Sequence, residues 1–182
     1  MRRSAFLIAT MLFVNAAAAS SQVPTVRYVM NRDDGREWCV YSSERSWKIA
    51  IDSASSDLFA KIRYSGGRLV SVQLTSQDTP GAGDWVIYDT YSFGHDERPV
   101  SLHRITNILP GDYSREEWYR ITLGVASLTR TRNRQLSTLK ETSAVPPWLP
   151  ESRIVVRLRD FPFARALQAA PRAGRHLPVC VQ

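Results

Sequence analysis

The sequence has 182 residues, 43% of them hydrophobic, and its formal net charge is +7 because 24 basic residues outnumber 17 acidic ones. A chain of this length is expected to form one domain that buries about two-thirds or more of its unfolded surface. Beyond residue 19 no apolar stretch approaches the roughly 20 residues of a membrane-spanning helix, which excludes a transmembrane segment from that part of the chain.

Residues 1–19 have the order of a secretory signal peptide. Two arginines precede an apolar run from Ala5 to Val14, and small residues ending in Ala19 satisfy the A-x-A cleavage rule. The apolar run is about half as long as a transmembrane helix, which disfavours a permanent anchor. We therefore predict cleavage near Ala19, export to the periplasm or the medium, and a mature domain of residues 20–182. A buried N-terminal helix is the alternative.

Removing Arg2 and Arg3 with the signal leaves 22 basic and 17 acidic residues, a net charge of +5. An exported basic domain could bind anionic lipid, envelope polysaccharide or an acidic protein. Nucleic acid is not an expected partner, because export removes the domain from it. Nearly all the basic residues are arginine, which a GC-rich genome would also favour without selection for binding.

Short strands separated by turn signals are predicted from Val26 to Ile105. The strongest local signal is a hairpin in which two alternating segments flank Gly66 and Gly67. Alternation of Trp47, Ile49 and Ile51 with polar or small residues also predicts a half-buried strand. The predicted strands cover residues 27–30, 37–41, 47–52, 60–64, 70–74, 85–91 and 100–106.

Residues 114–141 fit two structures. Ser114 and Glu117 have the spacing of a helix capping box, which would begin a long amphipathic helix. Alternation through Tyr119, Ile121 and Val125, together with many threonines, favours two strands instead. Two strands are the prediction, and the helix is the alternative.

The last third of the chain begins with a rigid connector, Pro146–Pro150, which cannot lie inside a helix. Alternation over 153–159 predicts a final strand, and Asp160 could cap a short helix at 162–170. Together these elements predict a mainly β domain, an antiparallel meander that forms a half-barrel or sandwich with a short C-terminal helix.

The two cysteines, Cys39 and Cys180, predict one disulfide, because an even pair in an oxidising compartment is most simply bonded. The bond would fasten the C-terminal tail to an early strand. Two unpaired buried thiols are the alternative. No other cysteine or histidine lies at ligand spacing, so we predict no metal site, and nothing in the sequence indicates a cofactor.

No catalytic motif is present, which favours a protein that is not an enzyme. The weak candidates are His95 and Asp96, the one place where an imidazole and carboxylates adjoin, although a solvated turn is the preferred interpretation. His103 is interpreted as a packing or surface residue. His176 has no neighbouring acidic residue.

A row of arginines is the main candidate for ligand binding. On a strand, Arg130, Arg132 and Arg134 would share one face about 7 Å apart. Arg157 and Arg159 would extend the row if their strand were adjacent, and such a row could bind phosphate or carboxylate groups. An ordinary exposed, charged sheet face is the alternative.

Large aromatic residues are frequent, and most are expected to form the core; stacking on a sugar ring is the alternative.

Taken together, these features predict an exported, non-catalytic β-domain that binds an envelope component or anionic ligand. The alternatives are a small envelope hydrolase using the His95 region and an accessory or inhibitor protein that docks on another exported protein.

Overall fold

The computed structural model describes residues 24–32, 36–53, 56–78, 84–170 and 178–181. Its strands are β1 (Thr25–Arg32), β2 (Glu37–Tyr41), β3 (Leu58–Ser65), β4 (Arg68–Gln77), β5 (Trp85–Phe93), β6 (Pro99–Ile108), β7 (Tyr113–Thr122), β8 (Val125–Gln135) and β9 (Val179–Val181). The helices are α1 (Glu44–Ser53) and α2 (Ala164–Ala169), and a 3-10 turn covers Leu158–Asp160. The predicted signal segment and His176 lie outside the described residues.

All nine strands form one antiparallel sheet in the order β8-β7-β6-β5-β4-β3-β1-β2-β9. The run from β3 to β8 is a meander in which each strand pairs with the next in sequence. The mainly β fold with a short C-terminal helix is therefore confirmed. Among the described residues the sheet is single, so no second sheet packs on it to make a sandwich.

One predicted hairpin and one predicted pair of strands are confirmed. Gly66 and Gly67 turn β3 into β4 with positive φ angles of 57° and 74°, which glycine adopts without steric cost. Residues 113–135 form the paired strands β7 and β8, so the long-helix alternative for this region is wrong. The period-two pattern prevails because both strands have neighbours along the sheet, whereas an isolated helix here would have exposed its apolar face.

The predicted strand at 47–52 is wrong, because these residues belong to α1. Ser43 begins the helix, since its side-chain oxygen accepts a hydrogen bond from the Ser46 amide and its carbonyl accepts one from Trp47. Trp47, Ala50 and Ile51 have helical spacing and pack against β1–β3. Ile49, which completed the strand pattern, points to solvent with 62% of its surface exposed.

The predicted strand at 153–159 is also wrong. This segment crosses over the sheet without pairing, and its Val155 amide donates a hydrogen bond to the Tyr91 hydroxyl at 3.0 Å. Ile154, Val155 and Val156 all pack against the core, so the alternation did not separate a buried face from an exposed one. Asp160 does not cap α2, because it lies in the 3-10 turn and Phe163 occupies the capping position.

The main core fills one face of the sheet, which curls around the C-terminal segment. Phe163 contacts Trp38 of β2 at 5.7 Å between ring centroids, and Phe161 contacts both Phe163 at 5.3 Å and Tyr91 of β5 at 5.0 Å. These three steps together are shorter than the roughly 19 Å that separates β2 from β5 across a flat sheet. The side chains therefore converge on a concave face. The opposite face of β1–β3 is covered by α1.

The Cys39–Cys180 disulfide is confirmed and joins β2 to β9, two paired strands 141 residues apart in sequence. It fastens the end of the described chain to the sheet, as the sequence predicted. No helix among the described residues combines the length and the apolar character needed to cross a bilayer.

Burial raises the pKa of five tyrosine phenols, those of Tyr28, Tyr41, Tyr91, Tyr113 and Tyr119, above the usual 10.0. A raised folded-state pKa stabilises the fold fully below a pH of about 10, and that contribution is lost as pH rises through the folded pKa. We therefore expect alkaline unfolding to coincide with tyrosinate formation. Near-ultraviolet absorbance and circular dichroism, followed in one pH titration, measure both. Full ionisation of all the tyrosines with the β-sheet spectrum intact would contradict this prediction.

Candidate functional site

Three hairpin turns lie at one end of the sheet, where β3–β4, β5–β6 and β7–β8 reverse direction. We call this region the hairpin end; it comprises residues 65–68, 94–98 and 122–125, with 156–159 of the C-terminal segment beside them. It brings together side chains that are distant in sequence, and it carries the most exposed large apolar residue of the described chain.

That residue is Leu123, which leaves 94% of its surface exposed at the turn between β7 and β8. Leu123 and Gly124 both have positive φ, 52° and 79°, the geometry of a tight type I′ turn. Asparagine or aspartate suits the first position, and a leucine there is unfavourable in both backbone conformation and hydration. Val125, next along the chain, is 64% exposed. The turn thus presents apolar surface with no packing role inside the domain.

A groove runs between this turn and the C-terminal segment. We call it the hairpin groove; its volume is about 670 Å³, and Leu123, Val100 and Leu158 are among its apolar lining residues. Ile121 on its floor belongs to the main core, and Val156 and Leu158 pack against that core. The groove is therefore an uncovered margin of the core.

Arginines border the hairpin groove. Arg157 is exposed and has no ion pair with any described residue. Arg159 is 3.9 Å from Asp160, and Arg98 is 3.4 Å from Asp96, but both guanidiniums are mostly exposed. Exposed pairs of this kind contribute little free energy and leave guanidinium donors available to a ligand. The groove therefore combines an apolar floor with a charged margin of three arginines and two carboxylates, Asp96 and Glu97.

The five predicted ligand-binding arginines do not form one row. Arg130, Arg132 and Arg134 share a face of β8, but Arg157 and Arg159 lie in an unpaired segment beside the β7–β8 turn, because the predicted strand there does not exist. The Arg132 guanidinium is 2.8 Å from Glu141, and that of Arg134 is 3.4 Å from Glu116. Two of the three β8 arginines are thus already paired with carboxylates.

Arg130 instead covers the ring of Trp118, with its guanidinium carbon 4.8 Å from the ring centroid. His103 stacks on the same ring from the neighbouring strand, at 4.8 Å and an interplanar angle of 13°. Because β6 and β8 flank β7, the two groups approach Trp118 from opposite sides. Neither face of the indole is free for a sugar ring.

His95 and Asp96 are adjacent in the β5–β6 turn but have different partners. The His95 ring contacts the Arg68 guanidinium, whereas Asp96 accepts a hydrogen bond from the Arg98 amide and pairs with its side chain. Asp96 therefore makes no contact with the imidazole that would orient it as a general base.

A second depression, which the sequence did not indicate, lies on the concave face beneath Pro146–Ser152. We call it the Arg104 cleft; its volume is about 700 Å³, and its floor includes Arg104, Arg115 and Glu117. Arg104 donates two hydrogen bonds to Asp89, at 2.7 and 2.8 Å, and a third to the Ser152 carbonyl. Arg115 lies 2.7 Å from Glu117. Each charged side chain named here therefore has a partner of opposite sign, Arg104 with Asp89 and Arg115 with Glu117.

Burial raises the pKa of the Asp89 carboxyl, while the Arg104 guanidinium opposes that rise. The bidentate bond favours the charged forms of both groups inside the domain, where an unpaired charge would be costly. These residues could not be paired from sequence, because Asp89 and Arg104 become neighbours only through the register of β5 and β6.

Among the described residues, the one cluster with ligand atoms close enough for a metal is Glu37 with Cys39 and Cys180. Both sulfurs are committed to the disulfide, so this cluster lacks free thiolates.

Comparisons with protein-family models, with curated proteins and with solved structures find no match to this chain. The function of the hairpin end is therefore inferred from its geometry.

Proposed function

We propose that this is an exported binding domain that docks on an anionic phospholipid surface through its hairpin end. The observation that carries the proposal is Leu123, an almost fully exposed leucine in a turn that disfavours it, beside arginines that lack buried partners. Apolar side chains enter the interfacial region of a bilayer, and each nearby arginine adds about 1 kcal/mol of attraction to an anionic surface.

Export is part of the proposal. A positively charged start, an apolar run and small residues before Ser20 support it. The disulfide is compatible with an oxidising compartment, where such bonds persist. Anionic headgroups are available to an exported protein at the membranes that bound such compartments.

The other predicted ligand surfaces have weaker support. The β8 arginine row is largely paired with Glu116 and Glu141, and the indole of Trp118 is covered on both faces. The separate partners of His95 and Asp96 give a hydrolase no organised base. The hairpin end combines an apolar side chain that is almost fully exposed, Leu123, with an exposed arginine, Arg157, that forms no ion pair with a described residue.

The test is sedimentation of the purified protein with vesicles of phosphatidylglycerol and, separately, of phosphatidylcholine. We expect binding to the anionic vesicles that weakens with salt, because exposed charges are screened. Leu123→Asp should weaken it by about tenfold or more, since burying a leucine contributes about 1.5–3 kcal/mol. Arg157→Glu with Arg159→Glu should weaken it by a similar factor, because each lost arginine costs about 1 kcal/mol and each glutamate adds repulsion.

Matched controls lie elsewhere on the domain. Ile49→Asp makes the same change at an exposed apolar residue of α1, and Arg45→Glu with Arg153→Glu changes the net charge by the same amount as the groove variant. Both controls should bind as the unmodified protein does. Equal binding to the two kinds of vesicle, or equal loss in variants and controls, would contradict the proposal.

A further inference from the structure

We propose that the hairpin groove binds the alkyl chain of a single anionic amphiphile, so that the domain holds an individual lipid molecule as well as a membrane surface. The inference rests on the proposed function, because it concerns the same end of the molecule. It assigns a ligand class, a single alkyl chain with an anionic head, to a groove that docking on a surface alone would leave empty.

The floor of the groove supports an apolar ligand. Ile121 is 5% exposed and is part of the main core, while Val156 and Leu158 pack against the same core from the C-terminal segment. Val100, at the irregular pairing between β5 and β6, adds a side chain that is 42% exposed. A chain lying here would extend the hydrophobic core outward and cover these side chains.

The margin of the groove supports an anionic head. Arg157 and Arg159 flank Leu158 in sequence, and all three residues line the groove. Two of the nearby acidic groups have other partners, since Asp96 bonds Arg98 and Glu97 accepts a hydrogen bond from the Leu69 amide at 3.1 Å. The third, Asp160, lies 3.9 Å from Arg159 in an exposed pair, which leaves Arg157 without a carboxylate partner among the described residues. A phosphate could therefore bind the arginines without displacing an internal carboxylate from Arg157.

The size of the groove fits a small amphiphile. Its volume of about 670 Å³ lies within the range of about 300–1,000 Å³ typical of small-molecule sites. Burying one methylene contributes about 0.8 kcal/mol, which corresponds to about a fourfold gain in affinity. Affinity should therefore rise steeply with chain length until the groove is filled, which a purely electrostatic phosphate site would not show.

The test is calorimetric titration of the full protein with hexyl, octyl and decyl phosphate, each below the concentration at which it forms micelles, and with inorganic phosphate. We expect up to about a fourfold gain per added methylene and little binding of inorganic phosphate. Val100→Trp should obstruct part of the groove and weaken the dependence on chain length, whereas Ile49→Asp should leave that dependence unchanged. Nuclear Overhauser contacts between the alkyl chain and the methyls of Val100 and Leu158 test the site without any substitution.

Three outcomes would overturn the inference. Vesicle binding that is sensitive to Leu123→Asp, together with affinities for alkyl phosphates that do not depend on chain length, would leave surface docking intact and refute the alkyl site. Chain-dependent binding with contacts to residues outside the groove would refute it as well. Absence of binding to both vesicles and alkyl phosphates would refute the proposed function together with this inference.

Discussion

Replacing Arg104 by methionine should lower the free energy of unfolding by about 3–5 kcal/mol, since removing one partner of a buried ion pair strands the other charge. Asp89 is 1% exposed and takes two hydrogen bonds from Arg104, so the substitution leaves its carboxylate without its cation. Arg104 also donates to the Ser152 carbonyl, which fixes the segment that crosses the concave face. Urea unfolding followed by circular dichroism measures the loss.

The pH dependence of the unfolding free energy of Arg104→Met tests whether the unpaired Asp89 carboxylate causes the loss. Without Arg104, the pKa of Asp89 should rise further, because burial then acts unopposed. The penalty is present where the carboxyl is ionised, and it should shrink as pH falls through the raised folded-state pKa. Combining Arg104→Met with Asp89→Leu should recover much of the stability, since apolar replacement of both partners is often neutral or better. A loss that is the same at every pH and in the double variant would contradict this account.

Removing the disulfide by Cys39→Ala with Cys180→Ala should lower the free energy of unfolding by about 2–5 kcal/mol. The bond spans 141 residues of sequence, and a crosslink over a long loop restricts the unfolded chain most. It also holds β9 against β2, and β9 is three residues long, too short to stay paired by its backbone bonds alone.

Urea unfolding of the oxidised protein, the reduced protein and the alanine variant measures this effect. The reduced protein and the variant should unfold at similar, lower urea concentrations. Reducing agent should leave the urea midpoint of the alanine variant unchanged, which controls for effects of the reagent other than reduction of the disulfide. Equal midpoints for the oxidised and reduced protein would show that the disulfide does not stabilise the fold.

The strands of the meander could be predicted because the residue pattern that specifies each strand lies within that strand and its turns. Alternation in β3 and β4 and the two glycines between them define a hairpin without reference to the rest of the chain. The same rule failed at Trp47, Ile49 and Ile51, where a serine cap and contacts with β1–β3 favoured helix. It failed again around Val155, because that segment packs on the sheet with consecutive residues instead of joining it.

The candidate site could be predicted only in part. The sequence singled out Arg157 and Arg159 as ligand-binding candidates and placed them beside β8 as an extension of a row, whereas in the structure they lie in the unpaired C-terminal segment. Their actual neighbour, Leu123, lies more than thirty residues earlier, and only the crossing of the C-terminal segment brings them together. The sequence signal that could have identified the hairpin end is Leu123-Gly124, a leucine directly before a glycine between two alternating segments.

The strand order also has a consequence for how the chain folds. From β3 to β8 each strand pairs with its sequence neighbour, so this part can form by successive short-range contacts with little loss of loop entropy. The pairing of β2 with β9 brings together residues 141 positions apart in sequence and must wait for residues 179–181 to emerge. We therefore expect thiol oxidation to be a late event in maturation, acting on a domain whose meander has already assembled.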